Sequence, residues 1–278
     1  MKLPNAHAKL ARAAEHRESI APEIATWSAS EPLTLTKAEN RGRMNEPIRC
    51  SYTVTAIESP PERWALVAGD AIQNARAALD HAIWAMVVKR RGDAFALANR
   101  NALGFPIHDK STAFSDTKLA SWGFDARVID AIRDAQPFAR QTHPRTDPLW
   151  FLRELSNVDK HRMLHVIVVI GEDALVHTQP ALPGFAITFD TSGPLDKGAV
   201  ALSFTAPRPA GIQSVAVKVE YRAGICFAAT PETGAAPIDV TLREIQLRAS
   251  EIIDSLEKAS VPKRRSQTKP VAQKRASG

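Results

Sequence analysis

Two stretches of the chain carry ionisable groups where an ordinary core helix needs none. The first holds Asp70, Asn74, Arg76, Asp80 and His81, and the second holds Arg153, Asn157, Asp159, Lys160, His161 and Arg162. Each gathers acid, base and cation within about three helical turns. Arg76 and His81 are spaced R-x4-H. A guanidinium can hold a phosphate, or the extra charge of a phosphoryl transition state, through fixed donors. An imidazole can move the proton of a ribose hydroxyl or a leaving group near neutral pH. Together they suit RNA cleavage without a metal. Asp70, Asn74 and Asp159 would orient the pair, and Lys160 and His161 would complete the candidate catalytic set.

Each group also has a plainer reading. R-x4-H occurs in many helices by chance. Arg76 and Asp80 stand at i and i+4 and can simply pair, and His81 can hydrogen-bond a neighbouring helix. Lys160, His161 and Arg162 complement the negative end of a helix dipole. His161 and His165 have the i, i+4 spacing of a metal pair if the helix reaches that far, although a strand is expected to begin near His165. The sequence contains no Gly-rich phosphate loop, nucleophile elbow or dinucleotide fingerprint, so no cofactor is expected.

The elements that must position these residues follow from periodicity. Residues 61–90 place Trp64, Ala68, Ala71, Ile72, Ala75, Leu79, Ala82, Ile83 and Met86 on one apolar stripe at 3.6-residue spacing. Asp70, Asn74 and His81 fall on the opposite side, with Gln73, Arg76 and Asp80 on one flank. Asp147 followed by Pro148 opens a second helix running to about Met163. Residues 5–28 read as a helix broken near Pro22. Residues 29–46 and 93–123 read as irregular, with a short helix over 125–135. Ile48–Ile57 alternates as a half-buried strand. From Leu164 the period becomes two, giving short strands over 164–170, 175–178, 185–190, 200–205, 215–221 and 225–229, paired antiparallel. Thr241 with Glu244 forms a capping-box pattern that would open a final helix.

The expected fold is therefore α+β. A mainly helical region over 1–163 carries one strand. An antiparallel sheet covered by a C-terminal helix spans 164–260 and packs with the first as one unit. A basic tail over 261–278 is expected to be disordered.

The chain has 278 residues, 44% hydrophobic and 24% charged, which is ordinary globular composition. Cys50 and Cys226 both lie in strand-like runs. Two cysteines do not make a disulfide framework, so a reducing, cytoplasmic setting is expected. Charges between Lys9 and Glu18 interrupt any apolar leader, and no run is long enough to span a bilayer. The last 17 residues hold six of the 36 Lys and Arg and none of the 30 Asp and Glu. The net charge of +6 thus belongs to the tail, and the remainder is formally neutral.

At its two polar helices the chain resembles a group of uncharacterised bacterial proteins with G-D-x-x-x-N-x-R-x-A-L-D-H and N-x-D-K-H-R motifs. The matching residues are Gly69, Asp70, Asn74, Arg76, Ala78, Leu79, Asp80 and His81, then Asn157, Asp159, Lys160, His161 and Arg162. Phe105, Pro106 and Ile107, and Gln136, Pro137 and Phe138, fit the same pattern, which spans about residues 60–165. The resemblance implies no established activity. More distantly, the chain is similar to HEPN domains, helical modules of toxins and antiviral RNases whose R-x4–6-H motif works across a homodimer. That likeness implies an endoribonuclease or RNA-binding role in a toxin or phage-defence setting, with Arg76 and His81 as the motif pair. Here Ala77 follows the arginine, where HEPN motifs commonly place a polar residue.

Three functions are open on these grounds: HEPN-like action on RNA, a non-catalytic binding or scaffold protein whose polar residues form a structural network, and a metal-dependent hydrolase using His161 and His165. The tail would bind nucleic acid or anionic surfaces without sequence preference. Deleting Pro262–Gly278 is expected to leave the melting temperature unchanged and to weaken salt-sensitive RNA or DNA binding, because such contacts act by counterion release. Equal binding by the truncated protein would place a basic site on the remaining body.

Overall fold

The computed structural model describes residues 1–40, 46–140, 142–164, 166–170, 175–179, 181–182, 184, 186–189, 195–208, 215–221, 223–230 and 234–261. Its centre is the helix α2 (Glu62–Arg91). The expected apolar stripe is buried from Trp64 to Met86, with Ile72, Leu79, Ile83 and Met86 fully enclosed. Burial of each such large side chain contributes roughly 1.5–3 kcal/mol. The alanines between them, Ala68, Ala71, Ala75, Ala78 and Ala82, keep the surface low enough for other helices to pack closely.

Helix α1 (Pro4–Ala29) lies along α2, and Trp27 meets Trp64 edge to face at 6.0 Å. The break expected at Pro22 is absent, and α1 runs through it. Pro22 and Glu18 are both exposed, so the Glu18 carbonyl that loses its intrahelical partner faces water. Residues 93–140 contribute α3 (Asp93–Ala98), α4 (Asp116–Ser121), α5 (Ala126–Asp134) and α6 (Pro137–Arg140), with a 3-10 turn at Ser111–Ala113. Two of these short helices fall in the stretch expected to be irregular. Asp147 caps α7 (Pro148–His161) as expected, its carboxylate accepting from the Leu149 amide at 2.8 Å.

The strands are β1 (Leu33–Glu39), β2 (Ile48–Ile57), β3 (Val166–Ile170), β4 (Leu175–Gln179), β5 (Ala186–Phe189), β6 (Val200–Ala206), β7 (Ala216–Glu220), β8 (Ala223–Thr230) and β9 (Gly234–Pro237). Among the described residues all pairs are antiparallel, but they form three sheets rather than one: β1-β2-β6-β5, β3-β8-β9 and β4-β7. Strand β1 was expected to be loop. Its Leu33-Thr34-Leu35-Thr36 alternation is short, and it is held by pairing with β2. The region before α7 therefore holds two strands, not one. Strand β2 joins the later strands through β6, as an unpaired backbone would require. Its Ile48, Cys50 and Tyr52 pack with Leu202, Phe204 and Val215 in a second, smaller core. The two cysteines are buried and unbonded.

Helix α8 (Ile238–Ala259) begins three residues before the Thr241 capping box. Pro237 initiates it instead, and Thr241 is buried inside the helix. The helix packs on α1, α2, α5 and α7 and against β8 and β9. No helix among the described residues is long and apolar enough to cross a membrane. The basic tail from Pro262 onward lies outside them.

Glu257 of α8 ties the ends of this bundle together. Its carboxylate accepts from the Leu3 amide at 2.7 Å, from Lys2 at 3.1 Å and from His7 at 3.2 Å. It thereby satisfies an orphan donor at the start of α1, whose own first residues supply no side-chain cap. Burial alone would raise the Glu257 pKa, but Lys2, the Leu3 amide and His7 outweigh it and hold the carboxyl below its usual value. A carboxyl depressed in this way adds stability that is full above its unfolded value, about 4.3. That stability is lost as pH falls through the folded value. Glu257→Gln is expected to lower the melting temperature at pH 7 and to narrow the gap from wild type as pH drops from about 5 toward 3. Parallel melting curves for the two proteins across that range would contradict it.

Candidate functional site

Four residues of α2 stand at i, i+4, i+7 and i+11: Gly69, Gln73, Arg76 and Asp80. They form a stripe along the flank of the helix rather than on the side opposite its core. The upper half of the stripe meets α7. Gln73 donates to the Ser156 carbonyl and to the Asp159 carboxylate, both at 3.0 Å. Asp159 sits in the notch left by Gly69, where an added Cβ would lie 2.3 Å from its Oδ1. The two polar motifs are therefore adjacent, joined through Gly69, Gln73 and Asp159.

The lower half of the stripe grips a loop. Arg76 donates to both oxygens of Asp80, from Nε at 3.2 Å and from Nη2 at 2.9 Å. Its Nη2 also donates to the Phe105 carbonyl at 2.8 Å. Asp80 Oδ1 accepts from the Phe105 amide at 2.8 Å. The ion pair thus holds one peptide unit on each side of Phe105. Gly104 permits this approach, since a Cβ there would meet Asp80 at 3.2 Å and Arg76 at 3.5 Å.

Gln136 continues the grip. It is fully buried, donates to the carbonyls of Pro106 and Ile132 at 2.9 Å, and accepts from the His108 amide at 2.9 Å. Arg153 of α7 reaches the Ile107 carbonyl at 3.3 Å. Side chains of α2 and α7, and Gln136 between α5 and α6, therefore bond the carbonyls of Phe105, Pro106 and Ile107 and the amides of Phe105 and His108. The Phe105-Pro106-Ile107 and Gln136-Pro137-Phe138 motifs meet in space through these bonds.

The gripped loop forms one wall of a cleft of about 390 Å³. Arg76 and Asp80 line its α2 side, and Lys118, Leu119 and Trp122 line its α4 side. His108 faces it, with its ring edge-on to Phe114 at 6.4 Å. Burial, together with the nearby Arg153 and Lys118 charges, lowers the His108 pKa, and Asp109 only partly offsets this. This shift favours the neutral imidazole.

The remaining residues singled out by sequence lie elsewhere. His81 is exposed and absent from the cleft lining. It is five positions from Arg76, which turns it about 140° away around the helix. Asn74 accepts from Lys9 of α1 at 3.3 Å and donates to the Asp70 carbonyl. Asp70, Asn157, Lys160 and His161 are exposed. Among the described residues, no hydrogen bond or ion pair joins Asp70, Asn74 or His81 to α7. His165 lies outside the described residues. A group with metal-like spacing is His7, Asp254 and Glu257, but Glu257 there is already taken by Leu3, Lys2 and His7.

Sequence reasoning did not assign a role to Gly69, Gln136, His108 or Lys118. Gln136 had a readable signal, an amide placed between two helices just before a proline. His108 and Lys118 gave none, since they meet only when the intervening loop folds back. Comparison with family models, curated proteins and solved structures finds no match, so function must be argued from these residues.

Replacing a helical Gly by Ala normally stabilises by about 1 kcal/mol. At Gly69 the sign should reverse, because the new methyl collides with Asp159. Gly69→Ala is expected to cost about 1–3 kcal/mol in urea unfolding, in the range of overpacking. In an Asp159→Ala background the same change should become neutral or stabilising. Additive costs would mean that the notch is not where the two helices meet.

Proposed function

We propose that the protein is a non-catalytic binding protein. On this reading its polar helix motifs are a structural network that shapes a ligand cleft. The observation that carries it is the engagement of Arg76. Its guanidinium donates to both oxygens of Asp80 and to the Phe105 carbonyl. These bonds take up Nε and Nη2 and leave Nη1 alone for a phosphate, without the two-nitrogen fork that a bidentate phosphate contact uses. Asp80 is equally committed, and His81 stands on another face of α2. The pair is partly buried, with 19% of the Arg76 side chain and 35% of the Asp80 side chain exposed. Its bonds to a peptide in the interior are worth more than those of a surface ion pair.

Two measurements on the full-length protein test this. Arg76→Ala should destabilise by about 2–4 kcal/mol, since it leaves the Asp80 carboxylate without its cation and the Phe105 carbonyl without its donor. Structured and single-stranded RNA incubated with wild type and His81→Ala under chelator should be cut by neither. Cleavage that depends on His81, with Arg76→Ala folded as stably as wild type, would overturn the proposal in favour of HEPN-like RNA cleavage.

A further inference from the structure

We infer that the cleft between α2, the 101–108 loop and α4 binds a small organic monocarboxylate with an aromatic or aliphatic body. The inference rests on the binding-protein reading and names its ligand class. A volume of about 390 Å³ lies within the range of small-molecule sites. Apolar wall comes mainly from the partly exposed Leu103 and Phe114, over the buried Phe105, Leu119 and Trp122. A ring or a short branched chain can rest on this wall while the polar part of the lining holds a charged end.

The charges of the lining set the ligand's sign. Arg76 and Asp80 cancel each other, and the neutral His108 adds none. Lys118 remains. Its ammonium lies 5.3 Å from the centre of the Trp122 ring, and no carboxylate pairs with it among the described residues. One uncompensated cation matches one anionic charge. A cationic ligand would meet Lys118 with only the spoken-for Asp80 in return, and a dianionic phosphate would lack a second cation. Ser115 supplies a neighbouring hydrogen bond. Its Oγ accepts from the Lys118 amide at 3.2 Å, which leaves its own proton to donate to a carboxylate beside the Lys118 ammonium.

The test uses full-length protein and two probes of equal shape, para-fluorophenylacetate and its neutral amide, followed by ligand-observed fluorine NMR. Wild type should bind the carboxylate at least about tenfold more tightly than the amide, reflecting a charge-assisted contact. Lys118→Gln, at an exposed position, should abolish that preference. Ala113→Trp changes another exposed lining residue and should block both probes by filling the cleft. Unchanged melting temperatures would show that both variants fold. Three results would overturn the inference: equal binding of the two probes to wild type, binding unaffected by Ala113→Trp, or no saturable binding by about 5 mM, the weak end for a ligand of this size. Neither variant replaces His81 or a residue of the Arg76 clamp. Failure here is therefore separable from failure of the binding-protein reading, which the RNA and stability measurements decide.

Discussion

An extended peptide carried into the space between helices must find partners for its amides and carbonyls, or folding leaves it in water. The segment from Phe105 to His108 meets this requirement almost entirely with side chains. Asp80 and Arg76 hold Phe105, Gln136 holds Pro106 and His108, and Arg153 holds Ile107. Phe105 and Ile107 can then enter the core with both backbone groups of Phe105 and the Ile107 carbonyl partnered. The loop consequently behaves as a fixed wall, and the cleft beside it keeps its shape without secondary structure of its own.

This constraint engages Arg76, one of the residues that look catalytic in the sequence, and its partner Asp80. A side chain that can grip a carbonyl or an amide is the same kind of side chain that can grip a phosphate or move a proton. Residue type therefore does not separate the two roles, and engagement does. Arg76 and Asp80 are both occupied, Gln73 and Asp159 occupy each other, and Gly69 is the absence of a side chain that makes room for Asp159. The stripe at i, i+4, i+7 and i+11 along α2 serves packing throughout its length.

The long regular elements were legible because their periodicity is strong. Strand β2 and helix α2 fall within a residue or so of the expected limits, and the Asp147-Pro148 start of α7 is used as read. Short elements were not. Strand β1 depends on β2 for its hydrogen bonds, and α3 and α4 are six residues each, too short to show a face. The capping pattern at Thr241 was overridden because Ile238 is drawn into the core one turn earlier. Within the site, the wheel separated Arg76 and Asp80 from His81. It could not show which flank would be covered, since that depends on a loop returning from beyond residue 100. Gln136 and His108 became visible only through that return.

The pairing of β2 with β6 bears on the order in which the chain can assemble. Tyr52 and Leu202 are partners 150 positions apart, whereas α1, β1, β2 and α2 are neighbours along the chain. At roughly 5–20 residues per second of synthesis, β2 waits about eight to thirty seconds for its second partner. Throughout that interval it has β1 on one side and an open edge on the other. The nascent protein therefore passes through a stage in which an alternating, half-apolar strand is available to pair with whatever extended chain comes first, including another copy of itself.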